Sequence, residues 1–249
     1  MRMRKGFTLA EILVTLTIVG VIASLTVPQL VNNVQKNTAG ATLGKVVEQL
    51  GYSSINTIQT ANSNLANSQD FSMHEVLFSI TRGDLGVNDD TSTTIIDDLL
   101  EGCADIYGMT WKSNDNKIED LNIKTYSRTA VKNRDDETDG KGKLYSVDKV
   151  GAEVWVFKTK EAADAESNND TDFAKSLTSK LLITYIDVNG FGSKPNQFGK
   201  DIFKYYITNS GKMVPFGIDS YKTDCVDNSV TNGLACTARV EVDKFSIKY

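Results

Sequence analysis

The first apolar run of this chain has no polar face. Residues 7–27 (FTLAEILVTLTIVGVIASLTV) contain one ionisable side chain, Glu11. At about 1.5 Å rise per residue, a helix of this length spans about 30 Å, the thickness of a bilayer's hydrocarbon core. After Pro28 the pattern becomes one-sided. Leu43, Val47, Leu50, Ser54, Ile58, Ala61 and Leu65 recur every three or four positions, which is helical spacing. The pattern predicts one long helix over about residues 8–64, apolar all round in its first half and burying a single stripe in its second. Gly40, Gly44 and Gly51 interrupt that half, each at a cost of about 1 kcal/mol, so local bends are expected.

Beyond the helix, residues 67–134 alternate short helical patterns with polar stretches. FSMHEVLFSI and TTIIDDLLEGCADIYG read as short helices, and NRDDETDGKGK (133–143) as a charged loop. Strand signals follow at 152–158 (AEVWVFK), 181–188 (LLITYIDV), 202–208 (IFKYYIT), 213–216 and 235–242, separated by Asn/Gly turns. One long helix followed by short strands predicts an α+β fold, with the helix packed on an antiparallel β-sheet.

Charge and composition narrow the function classes. The net charge is −5, but Arg2, Arg4 and Lys5 all precede residue 7; the remainder carries 24 basic against 32 acidic residues, a net of −8. An acidic body argues against broad binding to a nucleic-acid backbone. His74 is the only histidine, so a histidine metal cage is excluded, and it sits in an ordinary helical stretch. No phosphate-loop, dinucleotide-binding or metalloprotease motif appears, so the chain does not read as an enzyme and no cofactor is expected. Trp111, Trp155, Tyr205 and Tyr206 lie at strand spacing, which favours core and cross-strand pairing over a ligand-binding face.

The basic residues before the apolar run favour a cytoplasmic N-terminus, with everything after the helix outside. A secretory signal would have a shorter apolar region and a small-residue cleavage site after it; neither is present. A plain signal anchor leaves Glu11 unexplained, because an acidic residue inside a membrane helix costs about 2.5–3.5 kcal/mol at the centre. The stretch Gly6-Phe7-Thr8-Leu9-Ala10-Glu11 resembles the cleavage and methylation signal of type IV prepilins and type II secretion pseudopilins. The resemblance covers about residues 1–35. It implies cleavage after Gly6 by a prepilin peptidase and N-methylation of the new first residue, Phe7. It makes Glu11 the assembly carboxylate, which pairs with the N-terminal ammonium of a neighbouring subunit so that two buried charges neutralise each other. Pro28 falls where many pilins carry a proline, and there it lets the helix kink or locally melt.

The same resemblance implies three segments: a leader at 1–6, a membrane and assembly half-helix at 7–34, and an extracytoplasmic pilin-like domain, a roll, at 35–249. It implies a structural subunit of a pilus or a secretion pseudopilus, more in keeping with a minor one given the length of the globular part. The expected partners are the peptidase, other pilin or pseudopilin subunits, the inner-membrane assembly machinery, and membrane lipid before assembly. The expected location is the cytoplasmic membrane, then a filament at the cell surface. The alternative reading is a membrane-anchored, adhesin-like binding module. Pilins often staple their C-terminal region with a disulfide, and Cys225 and Cys236 suit that role in an oxidising compartment. Cys103 is then a buried thiol or an alternative partner.

One further stretch invites a metal. Residues 187–201 (DVNGFGSKPNQFGKD) open with D-x-N-G, but an EF-hand needs glycine sixth and a carboxylate twelfth. Here glycine is fourth and Phe198 is twelfth. The stretch reads as a hairpin turn built on Asn189-Gly190 and Pro195-Asn196. A non-standard cation loop formed by Asp187, Asn189 and Asp201 is the other reading. Similar D-x-N-G…P-N…G-x-D stretches occur in bacterial prepilin-like proteins, a resemblance that implies no ligand.

Overall fold

The computed structural model describes residues 8–64, 109–118, 120–131, 141–147, 149–168, 178–226 and 229–249, with single positions at 170, 172 and 176. The helices read at 71–80 and 93–108, with His74 and Cys103, lie outside the described residues, as do Gly6 and Phe7. The chain divides into two compact units, Met1–Thr38 and Ala39–Tyr249.

Helix α1 runs Leu9–Asn64 without interruption, matching the predicted long helix. In the first unit its side chains are exposed on every face from residue 8 to residue 38. In the second unit α1 buries a stripe. Leu43, Val46, Leu50 and Ser54 are at most 1% exposed, and their spacing of three or four residues aligns them on one side of the helix.

That stripe packs on a six-stranded antiparallel sheet in the order β1-β2-β3-β4-β5-β6. The strands are β1 Met109–Lys117, β2 Lys141–Val147, β3 Ala152–Lys158, β4 Lys180–Asp187, β5 Ile202–Thr208 and β6 Met213–Pro215. Alternation along each strand sorts the side chains to two faces. Val154, Val156, Leu182, Ile186, Phe203 and Tyr205 join Leu43, Val46 and Leu50 in one core. Trp155, Phe157, Ile183, Tyr185, Ile202 and Tyr206 form a second core under Ile118, Leu121 and Ile123. Because both faces of the central strands are buried, β3 and β5 read as near-continuous apolar runs. The chain is therefore α+β, as its pattern predicts.

Three expectations fail. The segment read as a last strand at 235–242 is instead a helix, Cys236–Val242. The R-V-E-V alternation suggests a strand, but the buried set is Cys236, Thr237, Ala238 and Val240, and Val242 is exposed. Two hydrogen bonds hold this segment, one to β5 and one to the residue after β6: Lys204 N donates to Thr237 Oγ1 at 3.0 Å, and Ala238 N donates to the Phe216 carbonyl at 3.2 Å. β1 falls in the stretch whose pattern predicts short helices and loops, and β2 begins inside the predicted charged loop. β1 is a polar sequence carried by its pairing with β2, whereas β2 pairs with β3 and buries Leu144, Tyr145 and Val147 after its charged start. β1 tolerates this as an edge strand with two register shifts.

Three further helices and a two-stranded ribbon complete the described fold: α2 Lys160–Asn168, α3 Tyr221–Asp224, and the ribbon β7 Cys225–Val226 with β8 Ser229–Val230, leading to α4 Cys236–Val242. α2 has no strong signal in the sequence. Thr159 caps it, accepting from Ala162 N at 3.0 Å while donating to the Lys180 carbonyl at 2.7 Å.

Candidate functional site

The start of α1 holds the one ionisable group in its apolar stretch. Thr8 precedes the first helical residue, and Glu11 lies in the first turn. The Glu11 N–H donates to Thr8 Oγ1 at 3.3 Å. In return, the Thr8 N–H and hydroxyl both donate to Glu11 Oε2, at 2.7 and 2.8 Å. This is a capping box, in which each residue satisfies the other's free backbone N–H. The sequence signal T-x-x-E was there to be read, and Thr8 is the residue that motif reading passed over.

The rest of the stretch is organised to hide polarity. Thr15 and Thr17 turn their hydroxyls back to carbonyls of the preceding turn, at 2.8–2.9 Å, as do Ser24 and Thr26. The large apolar side chains point outward; Leu9 is 81% exposed and Leu16 is 64% exposed. A helix apolar on all sides needs either a protein core or a bilayer around it. By length and composition this is a helix able to cross a membrane. It stays helical through Pro28, which removes one backbone donor from the ladder.

In the second unit, Cys225 and Cys236 form a disulfide with Cα atoms 5.1 Å apart. It ties β7 to the start of α4, and both cysteines are fully buried. The loop after β4 packs against this bridge: a side chain at Gly199 would stand 3.1 Å from Cys236 Cβ.

The loop itself is held by carboxylates. Asp187, fully buried, accepts from Asn189 N at 3.0 Å. Asp201 accepts from Asn196 N at 2.8 Å and Gln197 N at 2.6 Å. Glu153 on β3 accepts from Phe191 N at 2.7 Å and pairs with Lys112. Burial, then the nearby Asp201 charge, pushes the Asp187 carboxyl up to about 8. Burial also raises Asp201, against the hydrogen bonds that favour its ionised form. Asp187 and Asp201 therefore close a turn, as the hairpin reading expects. Among the described residues, no group of three or more His, Cys, Asp or Glu side chains is arranged to hold a metal ion.

Trp155, Tyr205 and Tyr206 are core. Trp155 stacks on Tyr185 with ring centres 5.4 Å apart, and Tyr205 and Tyr206 are buried on opposite faces of the sheet. The side chain of Trp111 lies outside the described residues.

Residues 1–27 match the family model of the prokaryotic N-terminal methylation motif. The chain thus carries the type IV pilin and pseudopilin signal, in the segment where the Thr8–Glu11 box and the exposed apolar helix lie. The match stops at residue 27 and does not extend over the globular unit. Neither the curated proteins nor the solved structures contain a match to the chain.

Proposed function

We propose that this chain is a structural subunit, in a minor role, of a type IV pilus or a type II secretion pseudopilus. One observation carries the reading: the methylation signal sits on a helix that is apolar on every side and bears a single carboxylate near its start. A prepilin peptidase cuts after Gly6, and Phe7 becomes the N-methylated first residue. The subunit waits in the cytoplasmic membrane with residues 7–34 as its anchor and residues 35–249 outside. The assembly machinery then draws it into a filament whose core is built from these helices. Glu11 meets the N-terminal ammonium of the neighbouring subunit there, and the pairing removes the cost of an isolated charge among apolar side chains. Pro28 gives the helix a weak point at which to adjust its path on entering the filament.

Two substitutions test the reading in the native cell. Gly6→Ala leaves the leader attached, and Glu11→Ala leaves a processed subunit that stays in the membrane. Normal incorporation of either variant into filaments contradicts the proposal.

A further inference from the structure

The capping box does more than start a helix. Both donors of Thr8 converge on a single carboxylate oxygen of Glu11, Oε2. Among the described residues, no hydrogen bond is made to the second oxygen, Oε1. A glutamate side chain has three rotatable torsions, and on an exposed helical turn it would sample many directions. Here two short hydrogen bonds to one oxygen restrict that freedom, and both fall on Oε2.

We infer that Thr8 is a positioning residue for assembly: it aims the Glu11 carboxylate so that Oε1 is presented to an incoming cation. The inference rests on the proposed role of Glu11 in subunit pairing. Two physical effects support it. First, a carboxylate in an apolar layer needs a polar partner at all times, and Thr8 supplies two donors before any neighbour arrives. The subunit can then wait in the bilayer with its charge partly satisfied. Second, a pre-oriented acceptor loses less freedom when it binds, so pairing with an ammonium group is more favourable. Since Thr8 occupies only Oε2, it need not be displaced: one carboxylate can accept from Thr8 and from the neighbour's ammonium together. Thr8 lies after the cleavage point, so the box survives removal of the leader.

The test uses the full chain in its native membrane and reads the ratio of filament-bound to membrane-bound processed subunit. Thr8→Val keeps the shape but loses the hydroxyl. Thr8→Ser keeps the hydroxyl. Thr8→Asp caps a helix at least as well but has no side-chain proton to donate and adds a like charge. The expected result is a roughly tenfold fall in the ratio for Thr8→Val, the scale of one hydrogen bond to a charged group. Thr8→Ser stays near the original ratio, and Thr8→Asp falls with Thr8→Val. Three outcomes overturn the inference: Thr8→Val assembling normally, Thr8→Asp restoring what Thr8→Val loses, or Thr8→Ser failing as badly as Thr8→Val. Glu11→Ala in parallel separates the two levels. If it assembles normally, the proposed function fails; if it fails while Thr8→Val assembles, only the role of Thr8 does.

Discussion

The backbone of Phe245 occupies the space that a side chain at Gly40 would need. A Cβ on Gly40 would collide with the Phe245 carbonyl oxygen, and one on Gly44 would stand 3.1 Å from the Phe245 ring. Lys244 and Phe245 both adopt left-handed backbone conformations, with φ of 54° and 60°. The Phe245 N–H is bonded to the Val240 carbonyl at 2.7 Å. Two glycines one helical turn apart thus make a notch in α1 that receives the segment after α4.

Gly40→Ala should therefore destabilise the globular unit by about 2–3 kcal/mol, since the colliding atoms are backbone and cannot swing aside. Gly44→Ala should cost less, because it meets a ring that can tilt. Denaturant unfolding of the full chain in detergent measures both. Gly40→Ala as stable as the original would mean that this packing is not held in solution.

The same glycines mark a limit of reading from sequence. By propensity they are weak points in a helix; in the structure two of them are contacts. Propensity depends on one residue, and the notch depends on a partner about two hundred positions later. The long helix was legible because its pattern repeats over many turns. The strands β3, β4 and β5 were legible because β-branched and aromatic residues fill both faces. β1, with Ser113, Asn114, Asp115 and Asn116 in sequence, has no such pattern and exists through its pairing with β2. α4 has a strand-like pattern because seven residues are too short for a helical period to outweigh a chance alternation. At the N-terminus the Gly6–Glu11 motif was legible from sequence, while Thr8 needed the hydrogen bonds to show what it does.

Helix α1 should respond differently to truncation along its length. Leu43→Ala removes a fully buried side chain and should cost about 2–5 kcal/mol in unfolding of the globular unit. Leu16→Ala removes an exposed one and should leave that unfolding unchanged. Equal losses in detergent would contradict the division of the helix between two units.

Opening the Cys225–Cys236 bridge should cost about 2–3 kcal/mol, the loop-closure value for an eleven-residue separation. Unfolding of the Cys225→Ser and Cys236→Ser double variant measures it. Unfolding of the original chain with and without reductant should show a shift of similar size. No shift in either experiment would mean that the bridge is not formed in the protein as made.

Stability should fall as pH rises from about 4 to about 8. The Asp187 carboxyl is pushed from 3.8 to about 8 in the folded protein, so between those values the folded state holds a proton that the unfolded state has released. The stabilisation from that bound proton is fully present below the unfolded value and is lost as pH climbs through the folded one. The slope contributed by one group is at most about 1.4 kcal/mol per pH unit. Asp187→Asn should flatten the dependence of the unfolding midpoint on pH across this window. An unchanged slope in the variant would remove Asp187 as its source.

Mass analysis of the N-terminus of the mature protein, isolated from the cell that makes it, tests the central claim most directly. The account predicts a chain that begins at Phe7 and carries one added methyl group on its amino nitrogen. A mature chain that still begins at Met1 would contradict it.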